Sequence, residues 1–195
     1  IDGVHALREQ GLLPGDRVAI LLENSWQYVA CYFAVLAAGG VVVPLNSAAR
    51  ARDLVTWISH VGASVVISEP DQAATAAILG ALPSVRALAP ARMLASRADP
   101  PRSTDDVTSF RPTADAPAAI LFTSGTTSAP KGVLLSHGNL RANALAIVES
   151  LALRADDSVM AVLPFTYAYG SSVLLSHLAC GARVVIQRGF GFPQA

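Results

Sequence analysis

The 195 residues fit one domain, or one and a fraction, and at 52% hydrophobic against 14% charged they hold ample material for a core. A formal net charge of zero and a pI of about 7.1 exclude the basic footprint of a nucleic-acid-binding domain. The mean hydropathy of +0.45 predicts more apolar surface than one small domain hides, to be covered by a partner chain or by further polypeptide.

Residues 2–10 read as the end of a helix, stopped by Gly11 and Pro14, with no start signal of its own. Residues 17–22 form a strand. Ser25 then caps a helix in which Trp26, Val29, Ala30, Phe33, Leu36 and Ala37 recur at helical spacing, and Gly39 closes it. A strand at 41–43, a helix over 50–61 and a strand at 64–67 follow. Such alternation implies parallel strands joined by right-handed crossovers, so the expected fold class is α/β, with mostly parallel layered sheets flanked by helices.

Two stretches without charge, between Glu23 and Arg50 and between Asp157 and Arg183, are long enough to span a membrane. Gly39, Gly40, Pro44 and Asn46 break the first; Pro164, Gly170, Ser171, Ser172 and Gly181 break the second. They read as helix-to-strand junctions with buried strands, and no transmembrane segment is expected. Cys31 and Cys180 sit in apolar runs and read as buried thiols in a reducing, cytoplasmic setting rather than as a disulfide.

From residue 70 the pattern degrades. A weak helix at 71–82 gives way to Ala, Pro, Arg and Asp without periodicity. Arg86, Arg92, Arg97, Arg102 and Arg111 are offset by Asp99, Asp105, Asp106 and Asp115, which suits a solvated connector better than a binding patch. The expected division is a first α/β subdomain over 1–88, a connector over 89–116 and a second subdomain over 117–195.

That second part is organised around residues 117–140. Apolar runs at 118–122 and 133–135 are strands, and between them lie Thr123, Ser124, Gly125, Thr126, Thr127, Ser128, Ala129, Pro130, Lys131 and Gly132. Small residues let backbone N–H groups approach an anion, hydroxyls add donors, and a lysine adds a mobile point charge suited to phosphate. Of the fourteen Lys plus Arg, thirteen are Arg, so Lys131 is the sole lysine in the sequence. A polyphosphate cradle is one reading; a Ser/Thr/Gly hairpin turn with a surface lysine is the other. The loop is not a Walker A motif, since Pro130 stands where that pattern needs glycine and Gly132 follows the lysine. It joins strand to strand, and the next helix starts only near Gly138, so no helix N-terminus can be assumed to face the phosphates.

The stretch from Thr123 to Gly132, followed by Val133-Leu134-Leu135-Ser136-His137, resembles the phosphate-loop signature of the adenylate-forming enzymes: acyl- and aryl-CoA synthetases, luciferases and adenylation domains. Nine of ten signature positions agree, Ser128 standing where glycine is usual. Residues 15–20 and 37–46 also resemble that family's first subdomain and read as scaffold. Pro164-Phe165-Thr166-Tyr167-Ala168-Tyr169-Gly170 is similar to the segment beside its carboxylate substrate, with Tyr167 in place of the usual histidine. Aromatics packing a core corner are the alternative there.

The resemblance implies ATP phosphates on Thr123, Ser124, Gly125, Thr126, Thr127, Ser128 and Lys131, with Mg2+ at Thr126. It implies a carboxylic acid beside Tyr167, Tyr169 and Gly170, and a thiol of CoA or a carrier protein as acceptor. It also implies a downstream magnesium carboxylate and a catalytic lysine in a separate C-terminal domain. Since Lys131 is the sole lysine here, no catalytic residue is assigned, and the expectation is the N-terminal portion of an acid–thiol ligase. His137 reads as structural and His177 as a satisfied core histidine. After the phosphate loop come an expected helix over 139–153 and strands at 159–163 and 182–186.

Overall fold

The computed structural model describes residues 2–95, 110–123 and 131–187. In chain order the elements are α1 (Asp2–Glu9), β1 (Arg17–Leu21), α2 (Trp26–Ala37), β2 (Val41–Pro44), α3 (Ala51–Val61), β3 (Val65–Ser68), α4 (Ala73–Ala81), β4 (Arg86–Leu88), α5 (Pro90–Leu94), β5 (Pro117–Thr123), β6 (Lys131–Ser136), α6 (His137–Ser150), β7 (Ser158–Ala161), α7 (Ala168–Ala179) and β8 (Arg183–Ile186). Six strands form one sheet in the order β4-β3-β1-β2-β5-β6, parallel except for the antiparallel β5–β6 hairpin. Strands β7 and β8 pair in parallel as a second, smaller sheet.

The continuous apolar runs have a direct cause. Val18 and Ile20 of β1 point into one core with Tyr28, Cys31, Tyr32 and Val35 of α2. Ala19 and Leu21 point into the other with Leu54 and Ile58 of α3 and Ile78 of α4. A strand covered on both faces needs no polar alternation. Arg17 donates through Nε to the Val61 carbonyl at 2.8 Å and through Nη2 to that of Gly62 at 2.7 Å, neutralising the C-terminal end of α3. Gly62 turns there at φ 61.

Three expectations need correction. Helix α2 is capped as expected, the Ser25 side chain accepting from Tyr28 N–H at 3.1 Å, but it buries a different face. Trp26 is 63% exposed and Phe33 40%, while Tyr28, Cys31, Tyr32 and Val35 are buried. The helix is apolar nearly all round, so its composition leaves the phase open and packing decides it. The stretch after residue 82 is not patternless at its start: β4 joins the sheet edge, and α5 seats fully buried Met93 against α1 and α2. Helix α6 begins at His137, earlier than expected, and ends at Ser150. Ser136 accepts from Asn139 N–H at 3.1 Å, and Asn139 Oδ1 accepts from Ser136 N–H at 3.0 Å, a reciprocal cap.

Among the described residues no helix is long and apolar enough to cross a membrane. Both cysteines are free; Cys31 is buried, its thiol pushed up to about 12 by burial, and Cys180 is half-buried. His177 is buried, with Nδ1 2.8 Å from the Val173 carbonyl. Gly80 lies in α4 with no heavy atom within 4 Å of an added Cβ. Gly80→Ala is therefore expected to stabilise the fold by about 0.5–1 kcal/mol, read as a higher urea midpoint.

Candidate functional site

Because β1, β2, β3 and β5 run parallel, their carboxyl ends share one edge of the sheet. The segments 22–25, 45–50 and 69–72 leave from that edge, and so does the loop after Thr123. Open α/β sheets bind ligands outside this edge, where connections diverge to opposite faces. Two neighbouring cavities of about 420 Å³ and 370 Å³ lie there, sharing Leu22, Glu23, Ser47 and Ala48.

The β5–β6 register pairs Thr123 with Lys131 and Phe122 with Gly132, so the two outer residues face each other across the mouth of the hairpin. Thr123 Oγ1 lies 3.5 Å from the Lys131 carbonyl, and both residues are exposed. Gly132 permits a close pairing, since an added Cβ would come within 2.9 Å of Ile120 Cγ2. Ser124, Gly125, Thr126, Thr127 and Ser128, including the magnesium candidate, lie outside the described residues. Ser136 pairs with Pro117 at the opposite edge, so the N-terminus of α6 lies away from the loop. Any anion held at the hairpin mouth depends on loop amides, hydroxyls and the Lys131 ammonium. Among the described residues no group of three or more His, Cys, Asp or Glu is placed to hold a metal ion.

Tyr167 occupies the N-cap position of α7 but makes no side-chain cap bond. It is 48% exposed, and its phenol oxygen accepts from Asn46 Nδ2 at 3.4 Å, beside the end of β2. Tyr169 is 68% exposed and Gly170 is buried; the two border a small cavity of about 120 Å³ against β7 and Val173. The structure thus joins Thr123 with Lys131, and Tyr169 with Gly170, and brings Tyr167 to the sheet edge. Asn24 and Asn46 also belong to this edge. Nothing in sequence periodicity marks them: each is a loop carboxamide with a partner more than a hundred residues away, although Asn46 also accepts from the Ala48 N–H at 3.0 Å.

His137 sits in the first turn of α6, its Nε2 buried without a partner among the described residues and its ring 6.5 Å from that of Phe110. Desolvation holds its imidazole below the ordinary value of 6.5. The unfolded chain therefore takes up the proton first as pH falls. Stability is fully present above about pH 6.5 and is lost as pH drops toward and through the lowered folded value. Urea midpoints at about pH 7.5 and pH 5 should show this fall, and His137→Gln should flatten it.

The sequence pattern described as AMP-binding enzyme matches residues 5–195. A feruloyl-CoA synthase from Amycolatopsis sp is 34% identical over 188 residues, covering 95% of this chain and 36% of the relative. An oxalate–CoA ligase from Arabidopsis thaliana is 30% identical over 185 residues, covering 91% and 36%. The crystal structure of ATP-bound MatB from Rhodopseudomonas palustris superposes with a TM-score of 0.83 at 31% identity, covering 97% of this chain and 38% of that one. The chain thus spans a little over a third of the length of the proteins it matches.

Proposed function

The chain belongs to the AMP-binding enzyme family, and from that premise we propose that it is the N-terminal part of an ATP-dependent ligase that activates a carboxylic acid as its adenylate and passes the acyl group to a thiol. The observation that carries this reading is the pairing of Thr123 with Lys131 at the mouth of the hairpin, on the carboxyl edge of a parallel sheet.

In the reaction a carboxylate oxygen attacks the α-phosphorus of ATP and pyrophosphate leaves; a thiol of CoA or a carrier protein then attacks the acyl carbon and AMP leaves. The first step brings two anions together, so neutralising the phosphate charge is the main requirement. Loop amides and hydroxyls from Thr123 to Ser128, with Lys131, would hold the phosphates. Thr126 is the candidate for Mg2+, which would screen the phosphate charge when bound. Tyr167 and Tyr169 would wall the acid together with Gly170, whose missing side chain lets α7 close on the Pro164 backbone. A phenol can donate one hydrogen bond there.

A second reading, a non-catalytic module packed on a partner chain, is favoured by the apolar surface of the smaller sheet, where Met160 and Val185 are exposed. Calorimetric titration of the 195-residue chain with ATP·Mg separates the two. Saturable heat is expected, without pyrophosphate release on adding a carboxylate. A flat titration would remove the phosphate site.

A further inference from the structure

We propose that Asn24 is a positioning residue, whose carboxamide clamps the turn carrying Tyr167 and Tyr169 onto the carboxyl edge of the main sheet. Its Nδ2 donates to the Leu163 carbonyl at 2.9 Å, and its Oδ1 accepts from the Phe165 N–H at 2.8 Å. A carboxamide carries donor and acceptor side by side, as a peptide group does, so Asn24 engages this turn as a neighbouring strand would. Pro164, between the two anchored residues, has no N–H to offer. The clamp therefore takes up the amide and the carbonyl that flank it.

Two further contacts reinforce the clamp. The Tyr28 hydroxyl donates to the Phe165 carbonyl at 3.4 Å, and its ring lies 5.5 Å from that of buried Phe165. Asn46 Nδ2 donates to the Tyr167 hydroxyl. The loops after β1 and β2 and the first turn of α2 thereby fix Leu163, Phe165 and Tyr167 in succession. Asn24 makes the shortest contacts of the set and is alone in holding both backbone polarities. Without it, the Phe165 N–H loses its partner in a partly buried setting, while the Leu163 carbonyl is left to solvent, which favours another turn geometry.

The consequence for substrate rests on the proposed reading of Tyr167 and Tyr169 as the acid wall; the clamp itself does not. Amide hydrogen exchange on the 195-residue chain tests the clamp directly. Asn24→Ala should speed exchange at Phe165, Tyr167 and Ser171 by about tenfold or more, while Ile20 and Val42 in the sheet stay protected. Asn24→Asp should keep Phe165 protected, because an acceptor remains, and loosen the turn on the Leu163 side. Uniform acceleration, or none, in either variant overturns the proposal.

Benzoyl-sulfamoyl-adenosine, an acyl-adenylate mimic, tests the consequence. Asn24→Ala should weaken it about tenfold and leave ATP·Mg within about twofold, since the hairpin that would hold phosphate is elsewhere on the edge. Equal weakening of both ligands would make Asn24 a general stabiliser and overturn the positioning role. Failure of the unsubstituted chain to bind the mimic would remove the acid-wall reading, with the clamp still judged by exchange.

Discussion

Gly170→Ala is expected to destabilise the chain by about 3 kcal/mol or more, lowering its melting temperature by roughly 6–12 °C. Gly170 lies in the first turn of α7, and a Cβ built there overlaps the Pro164 carbonyl oxygen. It also comes within 2.8 Å of the Pro164 carbonyl carbon and 3.0 Å of the Leu163 oxygen. All of these are backbone atoms, so no side chain can swing aside, and relief requires the helix or the turn to move. The turn is held by Asn24 through two hydrogen bonds and by Tyr28 through a third. Moving it breaks those bonds as well, which places the cost at the upper end of the overpacking range. Gly80→Ala, measured alongside by the same thermal melt, is the control of opposite sign. An unchanged midpoint for Gly170→Ala would mean that the close approach of α7 to Pro164 is absent in solution.

The same contact shows how far the amino-acid sequence could be read. The runs at β1, β2 and β3 were legible because a strand buried on both faces writes itself as uninterrupted Val, Ile and Leu. Ser25 was legible as a cap because its side-chain oxygen has one obvious local use. The buried face of α2 and the existence of α7 were not. Helix α2 is apolar nearly all round, whereas α7 buries Ser171, Ser176 and His177 beside Leu174, so neither shows one apolar stripe, and the N-cap residue of α7, Tyr167, makes no side-chain cap bond. Helix α5 is five residues long, too short for periodicity, and only packing against α1 and α2 reveals it. At the site, the hairpin that brings Thr123 to Lys131 followed from two apolar runs around a small-residue loop. The Asn24 clamp did not, because a bond to Phe165 across 141 positions leaves no local trace. Thr166 is buried with its hydroxyl unpartnered among the described residues, beside the larger of the two edge cavities.

Lys131→Ala should reduce ATP·Mg affinity by about 10- to 100-fold without altering the unfolding midpoint. The two halves of that expectation have separate causes. Lys131 is exposed and its side chain makes no hydrogen bond or ion pair among the described residues, and alanine keeps the backbone pairing with Thr123. The fold should therefore not register its loss. A phosphate held by an ammonium loses a charge-assisted contact worth about 1.5–3 kcal/mol, which sets the size of the affinity change. Lys131→Arg should recover part of it, because the charge returns on a planar fork rather than a compact point. The affinity of the unsubstituted chain should fall as salt rises, and that of Lys131→Ala should fall less steeply. With no other lysine in the sequence, an amine-reactive label can modify only Lys131 and the terminal amine, so ATP·Mg should protect Lys131 selectively. Equal affinity in the alanine variant, or labelling that ignores ATP, would reduce the Thr123–Lys131 pairing to a surface turn and leave the partner-packing module as the better account.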